Sequence, residues 1–286
     1  MAPSSSEQTR PAAFAGTFYP GNPRQLESLV TALLAEAPDK GIAGQIIGLV
    51  APHAGYLYSG STAATAYKQV MGKPYESIVI MAPSHRELFR EATVCPFSAY
   101  STPLGEVRVD TALAEQIVAQ GKGVILSERG HQVRGDDAEH SLEVHLPFLQ
   151  KALPGVPIVP IIISDYHGGN SRRFGEAIGQ AIGDRKVLIV ASTDLYHGYS
   201  YEECKLADAH TLAALQAFDP DEFVKGATQG KYLACGAGPV SVMLYAARLL
   251  KADTVQLLAQ TNSADATGVR GGYVVGYAAA AVYRSS

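Results

Sequence analysis

Ile46-Ile47-Gly48-Leu49-Val50-Ala51 is an unbroken apolar run that stops at Pro52 and is followed at once by His53. A short run of this kind, rich in β-branched residues, predicts a buried strand. The pattern returns in residues 77–82, ahead of Pro83-Ser84-His85, and again in residues 187–191, ahead of Ser192-Thr193-Asp194-Leu195-Tyr196-His197. Each predicted strand thus ends in a polar, histidine-bearing turn. In an open parallel sheet, ligands bind beyond the carboxyl ends of the strands, where loops converge over a rigid base. If these three strands are parallel neighbours, His53, His85, Asp194 and His197 meet in one cleft.

Between the strands the hydrophobic period is helical. Asn22 caps a helix with Pro23 at its first position, and Leu26, Leu29, Val30, Leu33 and Leu34 share one face of it. Further helices are predicted over residues 59–70, 111–120, 141–152, 171–182, 220–228 and 240–250. Another long one is capped by Ser200, with Glu203 in the capping-box position. Pro147 should kink the 141–152 helix or mark a boundary in it. Other strands are predicted at 92–96, 107–110, 124–127, 156–163, 254–259 and 273–282. Pro157 and Pro160 push the 156–163 strand toward a sheet edge or an irregular position, and residues 129–139 are expected to form a polar loop. Alternating strands and helices indicate an α/β fold, with a central mostly parallel or mixed sheet flanked by helices. No linker or repeat divides the chain, so the expectation is a flexible tail over residues 1–12 and a single domain over 13–286.

Composition narrows the function classes. The 286 residues are 47% hydrophobic, enough for one large core. A net charge of −4 and the lack of a Lys/Arg cluster argue against nucleic acid, and nothing favours a membrane surface. Three widely spaced cysteines with no CxxC pair point to a reducing compartment. The start carries no basic and apolar leader, and the apolar stretch 272–283 falls short of the roughly 20 residues that a bilayer requires. A cytoplasmic protein is expected. There is no GxGxxG after a strand, no GxxxxGK[ST] and no GxSxG, which removes most support for nucleotide chemistry and for a hydrolase triad.

Four groups of residues have the chemistry for a site. His53 and His85 stand at equivalent strand ends, where imidazole is held rigidly enough to ligate a metal; singly, each could equally be a hydrogen-bonded structural residue. Asp194 and His197 share a turn, where the carboxylate could orient the imidazole, ligate a metal or form an acid–base pair with it; the alternative is a cap and a packed ring. Cys235, in Cys235-Gly236-Ala237-Gly238-Pro239, directly precedes a helix whose dipole would lower its thiol pKa, although a lone cysteine is as often a small buried hydrophobe. Glu139-His140-Ser141-Leu142-Glu143-Val144-His145 superficially suggests a zincin. Its histidines are five apart, however, where a helix needs four. On a helix Glu139 and Glu143 would share a face beside His140, so His140, Glu143 or His145 could line the cleft, or the stretch could be a solvated helix start.

Taken together, Ala15-Gly16-Thr17-Phe18-Tyr19-Pro20, Pro52-His53-Ala54-Gly55-Tyr56, Pro83-Ser84-His85, Glu139 to Pro147, Ser192 to His197, Cys235-Gly236, Thr261-Asn262-Ser263 and Val274-Val275-Gly276-Tyr277 resemble, in order, the motifs of the Memo family. The closing motifs are similar to those of its prokaryotic branch, the AmmeMemoRadiSam system protein B. The resemblance implies a fold like that of the class III extradiol ring-cleaving dioxygenases. It also implies a single metal ion on His53, His85 and Cys235, with His197 as catalytic base and Asp194 beside it. Iron(II) or copper is expected ahead of zinc, because the family is linked to copper- or iron-dependent redox chemistry; the thiolate that replaces the carboxylate of the ring-cleaving enzymes is a softer ligand, suited to Cu(I), Zn(II) or Fe. The expected activity is that of a metal-dependent, dioxygenase-like oxidoreductase acting on a small substrate of phenolic type. The alternatives are a peptide- or partner-binding module using the same cleft, and a zinc hydrolase. The family also implies radical-SAM and AMMECR-type proteins as functional partners.

Overall fold

Residues 8–133 and 137–285 are described by the computed structural model. In chain order the elements are β1 (Thr9–Arg10), α1 (Pro23–Glu36), β2 (Gly44–Ala51), α2 (Tyr56–Lys68), β3 (Ser77–Pro83), β4 (Ala92–Val94), β5 (Ala99–Thr102), β6 (Gly105–Arg108), α3 (Thr111–Ala119) and β7 (Val124–Leu126). A 3-10 turn, Glu143–His145, leads into α4 (Leu146–Ala152). There follow β8 (Ile158–Ile163), α5 (Asn170–Ile182), β9 (Val187–Ser192), β10 (His197–Gly198), α6 (Tyr201–Gln216), α7 (Pro220–Thr228), α8 (Ala237–Leu249), β11 (Thr254–Asn262), α9 (Ser263–Thr267) and β12 (Val274–Ser285).

The three histidine-bearing strands are parallel neighbours. The main sheet runs β10-β12-β2-β9-β3-β8-β4-β7, with β11 also paired to β12. Strand β9 lies between β2 and β3, Ala51 opposite Ser192 and Met81 opposite Ala191, so the three turns open on the same side. Strands β2, β9, β3 and β8 run parallel, while β12, β11 and β4 pair antiparallel, which makes the sheet mixed. A smaller sheet orders β1-β5-β6.

Every residue of β3, β8 and β9 is buried, as expected of strands covered on both faces. Successive side chains on these strands serve two cores. Ile78 and Ile80 join α1, α2 and α4 on one side; Val79 and Met81 join α3, α5 and α8 on the other. The result is a single three-layered α/β domain. Among the described residues no helix is long and apolar enough to cross a membrane.

Three local expectations need correction. Strand β8 is interior, flanked by β3 and β4, and not at an edge. Its Pro160 is tolerated because its carbonyl accepts from Cys95 N–H just past the end of β4, so the bond it cannot donate falls where that ladder has stopped. The predicted 141–152 helix begins only at Leu146; Pro147 sits in its first turn, where a missing N–H leaves nothing unsatisfied, and does not kink it. The expected tail lies outside the described residues as far as residue 7, as do 134–136 of the polar loop. Thr9 and Arg10, also assigned to the tail, form β1 against β5. The reason is the Arg10 side chain, buried in an ion pair with Glu143 and bonded to the carbonyls of His131 and Glu139.

Candidate metal centre

His53, immediately past β2, and His85, past β3, approach each other to 5.2 Å between ring centroids. A third imidazole joins them. The loop into the 3-10 turn crosses the end of β3 and stacks His140 on His85, with centroids 4.9 Å apart and planes 16° apart. His53, His85 and His140 each offer a ligand atom within 4.8 Å of the others, a set that can hold one metal ion. Phe14 and Phe18, from the segment that follows β1, wall His140 on its far side.

The donor atoms are oriented from behind. His85 Nδ1 lies 3.0 Å from Glu139 Oε1, and the same carboxylate accepts the His85 and Ser141 main-chain N–H groups. Burial alone would raise the Glu139 pKa, but the His85 ring and these donors outweigh it and hold the carboxyl down at about 2. An ionised Glu139 makes His85 Nδ1 the donor and leaves Nε2 free. His53 Nδ1 is engaged by Ser192 Oγ at 2.6 Å, which likewise leaves its Nε2 facing the cleft. A carboxylate or hydroxyl bonded to the far nitrogen of an imidazole is how metal-binding histidines are commonly oriented. Burial, reinforced by the neighbouring imidazoles, pushes His53 well below its ordinary pKa, and burial brings His140 down to about 4. Both are neutral near pH 7, the form that ligates.

Cys235 approaches one member of this set, His53, while the third donor of the cluster is the His140 imidazole and not a cysteine. The Cys235 Sγ is 3.2 Å from His53 Nε2 and accepts the Asp194 N–H. Bond lengths of about 2.0 and 2.3 Å put two ligands of one tetrahedral ion about 3.5 Å apart, so this spacing suits a shared cation. The expected low thiol pKa is not found. Cys235 keeps part of its surface open to the cleft, yet burial of the thiol raises its pKa and the Asp194 carboxylate adds to the rise, together outweighing the α8 terminus. A bound cation would reverse this balance.

The approach depends on Gly236, where a Cβ would stand 2.0 Å from the Ser192 carbonyl oxygen and 2.6 Å from Thr193 Cβ. Gly236→Ala is expected to destabilise the fold by about 1–3 kcal/mol in urea unfolding and to move Sγ away from His53, seen as faster thiol labelling. Unchanged labelling would count against close packing of this loop.

The Asp194–His197 pair suggested by their spacing does not form. Asp194 turns inward: it accepts the His53 main-chain N–H at 2.8 Å, and its other oxygen lies 3.9 Å from His53 Nε2. Burial raises its pKa, against the pull of those donors and of His85, to about 7. His197 instead donates from Nδ1 to the Leu195 carbonyl at 2.9 Å, which leaves Nε2 with a free lone pair; partial desolvation of a ring that still meets solvent lowers its pKa.

Glu143 and His145 do not line the cleft. Both are fully buried, Glu143 holding Arg10 and the main chain at Ala13 and Phe14, and His145 bonded at both nitrogens to Tyr67 and Ser192. Because residues 139–142 are not helical and only a 3-10 turn, Glu143–His145, precedes Leu146, Glu139 and Glu143 share no helix face. Sequence reasoning missed Ser192, whose only signal is a hydroxyl ending an apolar strand, and Tyr67, which has none.

A cavity of about 470 Å³ is walled by Tyr58, Tyr273 and Tyr277. The Tyr273 ring is 6.2 Å from that of His197. Strand β12 is tied to the His197 turn through Leu195 N–H to the Gly276 carbonyl.

Comparison with known proteins places these features in a family context. Residues 10–281 match the profile described as Memo-like protein. A MEMO1 family protein of Aeropyrum pernix is 35% identical, over 96% of this chain and 99% of its own. One from Thermoplasma acidophilum is 32% identical, over 94% and 97%. The protein memo-1 homolog of Caenorhabditis elegans is 30% identical, over 84% of this chain and 72% of its own. The crystal structure of an uncharacterized Escherichia coli K12 protein shares the fold, with a TM-score of 0.55 and 18% identity over 81% of this chain and 99% of that one.

Proposed function

We propose, from the premise that this chain belongs to the Memo family, that its cleft holds one iron or copper ion and carries out an oxidation of a small phenolic substrate. The observation that carries this reading is the convergence of His53, His85 and His140 at the strand ends. His53, His85 and Cys235 would hold the ion, with His140 presenting a further imidazole to the same centre. Iron or copper bound there supplies redox chemistry toward O₂, and a soft thiolate beside neutral imidazoles suits these metals.

The chain's own residues do the rest. His197, with its proton fixed on Nδ1 by the Leu195 carbonyl, accepts the proton of a substrate hydroxyl at Nε2. The tyrosine-walled cavity stacks an aromatic ring against Tyr273 next to that base. Asp194 acts on the His53 side and stores a proton near neutral pH.

Metal analysis of anaerobically purified protein tests the reading. The wild type is expected to carry or take up one equivalent of Fe(II) or Cu(I), and His53→Ala to lose it. Cys235→Ser and His140→Ala then rank the remaining donors. A wild type that takes up neither ion removes the proposal; tight zinc without redox activity would instead favour hydrolysis.

A second reading rests on the cavity rim. Tyr199, Val269 and Tyr273 are exposed at 80%, 65% and 55%, with Tyr199 packed on Tyr273 and with Val269 and Tyr273 lining the cavity, an apolar border suited to holding a peptide or partner chain. Peptide binding unaffected by chelator and by Cys235→Ser would favour it.

A further inference from the structure

Ser192 Oγ sits at a junction of three short hydrogen bonds. It is 2.6 Å from the Ser141 carbonyl oxygen, 2.6 Å from His53 Nδ1 and 2.8 Å from His145 Nε2. His145 Nδ1 in turn lies 2.7 Å from Tyr67 Oη. All four side chains are buried, and they come from separate places in the chain: the turn after β2, α2, the 3-10 turn before α4, and the end of β9.

A serine hydroxyl has one proton and two lone pairs. A carbonyl oxygen only accepts, so at 2.6 Å from Ser141 the Ser192 proton must point there; otherwise two acceptor oxygens would face each other. Both imidazoles must then donate to Ser192, from His53 Nδ1–H and from His145 Nε2–H. That leaves His145 Nδ1 as an acceptor, and Tyr67 Oη–H is the donor that meets it. One assignment of protons satisfies every bond, and it leaves the lone pair of His53 on Nε2, the nitrogen beside Cys235 Sγ.

We propose that Ser192, His145 and Tyr67 are positioning residues, a buried relay that holds His53 as the Nδ1–H tautomer and aims its Nε2 lone pair into the candidate metal centre. The relay's value to function rests on the metal reading, but its proton arrangement does not. Which nitrogen of a histidine is free to ligate is set by the bond the other one makes. In water the neutral ring prefers its proton on Nε2, which would block the ligand position. The relay reverses that preference before any ion arrives.

The test is long-range ¹H–¹⁵N correlation of the histidine rings in metal-free, chelator-treated protein, paired with competition titration of Zn(II) as a redox-inert probe. The wild type is expected to show the proton of His53 on Nδ1 and that of His145 on Nε2. Ser192→Ala is expected to mix the His53 tautomers and to weaken Zn(II) binding about 10- to 100-fold. Tyr67→Phe, which preserves shape, is expected to disturb the His145 signals and to weaken Zn(II) less than tenfold. A proton on His53 Nε2 in the wild type overturns the proposal without recourse to any variant. So does a folded Ser192→Ala protein with one His53 tautomer and unchanged Zn(II) affinity. Wild-type protein that shows the expected tautomers yet binds no Zn(II) supports the relay while counting against the metal reading.

Discussion

Glu143→Ala is expected to remove about 3–5 kcal/mol of folding stability, the usual result of stranding one member of a buried ion pair. Arg10 and Glu143 are 2% and 0% exposed, so solvent does not screen the pair and cannot take over from the lost partner. The same carboxylate also accepts from the main chain at Ala13 and Phe14 and from the Tyr19 hydroxyl. Its loss therefore frees the segment carrying Phe14 and Phe18, the two rings packed on His140. Urea unfolding should show a lower midpoint, and the His140 signals should broaden or shift. Adding Arg10→Met to the variant should recover part of the loss, because the stranded charge is then gone. A cost below about 1 kcal/mol would show that water reaches Arg10 and that the anchor is weaker than its burial implies.

Asp194→Asn should make the metal-free protein more stable at pH 8 and leave it nearly unchanged at pH 4. The carboxyl titrates at 3.8 in its ordinary state and at about 7 in the fold, chiefly through burial. Between those values the folded chain holds a proton that the unfolded chain has released. Stability from this group is thus complete below pH 4, falls as pH rises, and is gone above pH 7. Asparagine keeps the acceptor for the His53 N–H but does not titrate. At about 1.4 kcal/mol per pH unit, the gap between variant and wild type should grow to roughly 4 kcal/mol across that window. Taking the difference cancels the opposite trend from His140 and His145, held by burial at about 4 and 3, which weaken the fold as pH falls below 6.5. A gap that does not change with pH would show that Asp194 is ionised throughout.

The helix that follows Asn22 and the one that follows Ser200 start where the chain's local pattern places them, because a cap and an apolar stripe act within a few residues. The 141–152 segment departs from its local pattern because His140 packs on His85 and Glu143 pairs with Arg10, so that only a 3-10 turn, Glu143–His145, stands ahead of the helix at Leu146. Strand β8 shows the reverse case. Its prolines argue for an edge, yet its apolar side chains keep it inside, since one absent N–H falls beyond the end of β4.

The order of residues alone determined the buried strands, the histidines at their ends and the α/β layering, because each follows from short-range periodicity and from the need to bury apolar faces. Tertiary structure decided which groups meet: β9 inserted between β2 and β3, Cys235 brought to His53, His140 laid on His85, and Asp194 turned away from His197. Those partnerships join residues up to 182 positions apart. They depend on strand order and on satisfying every buried polar group at once, neither of which any short stretch of the chain encodes.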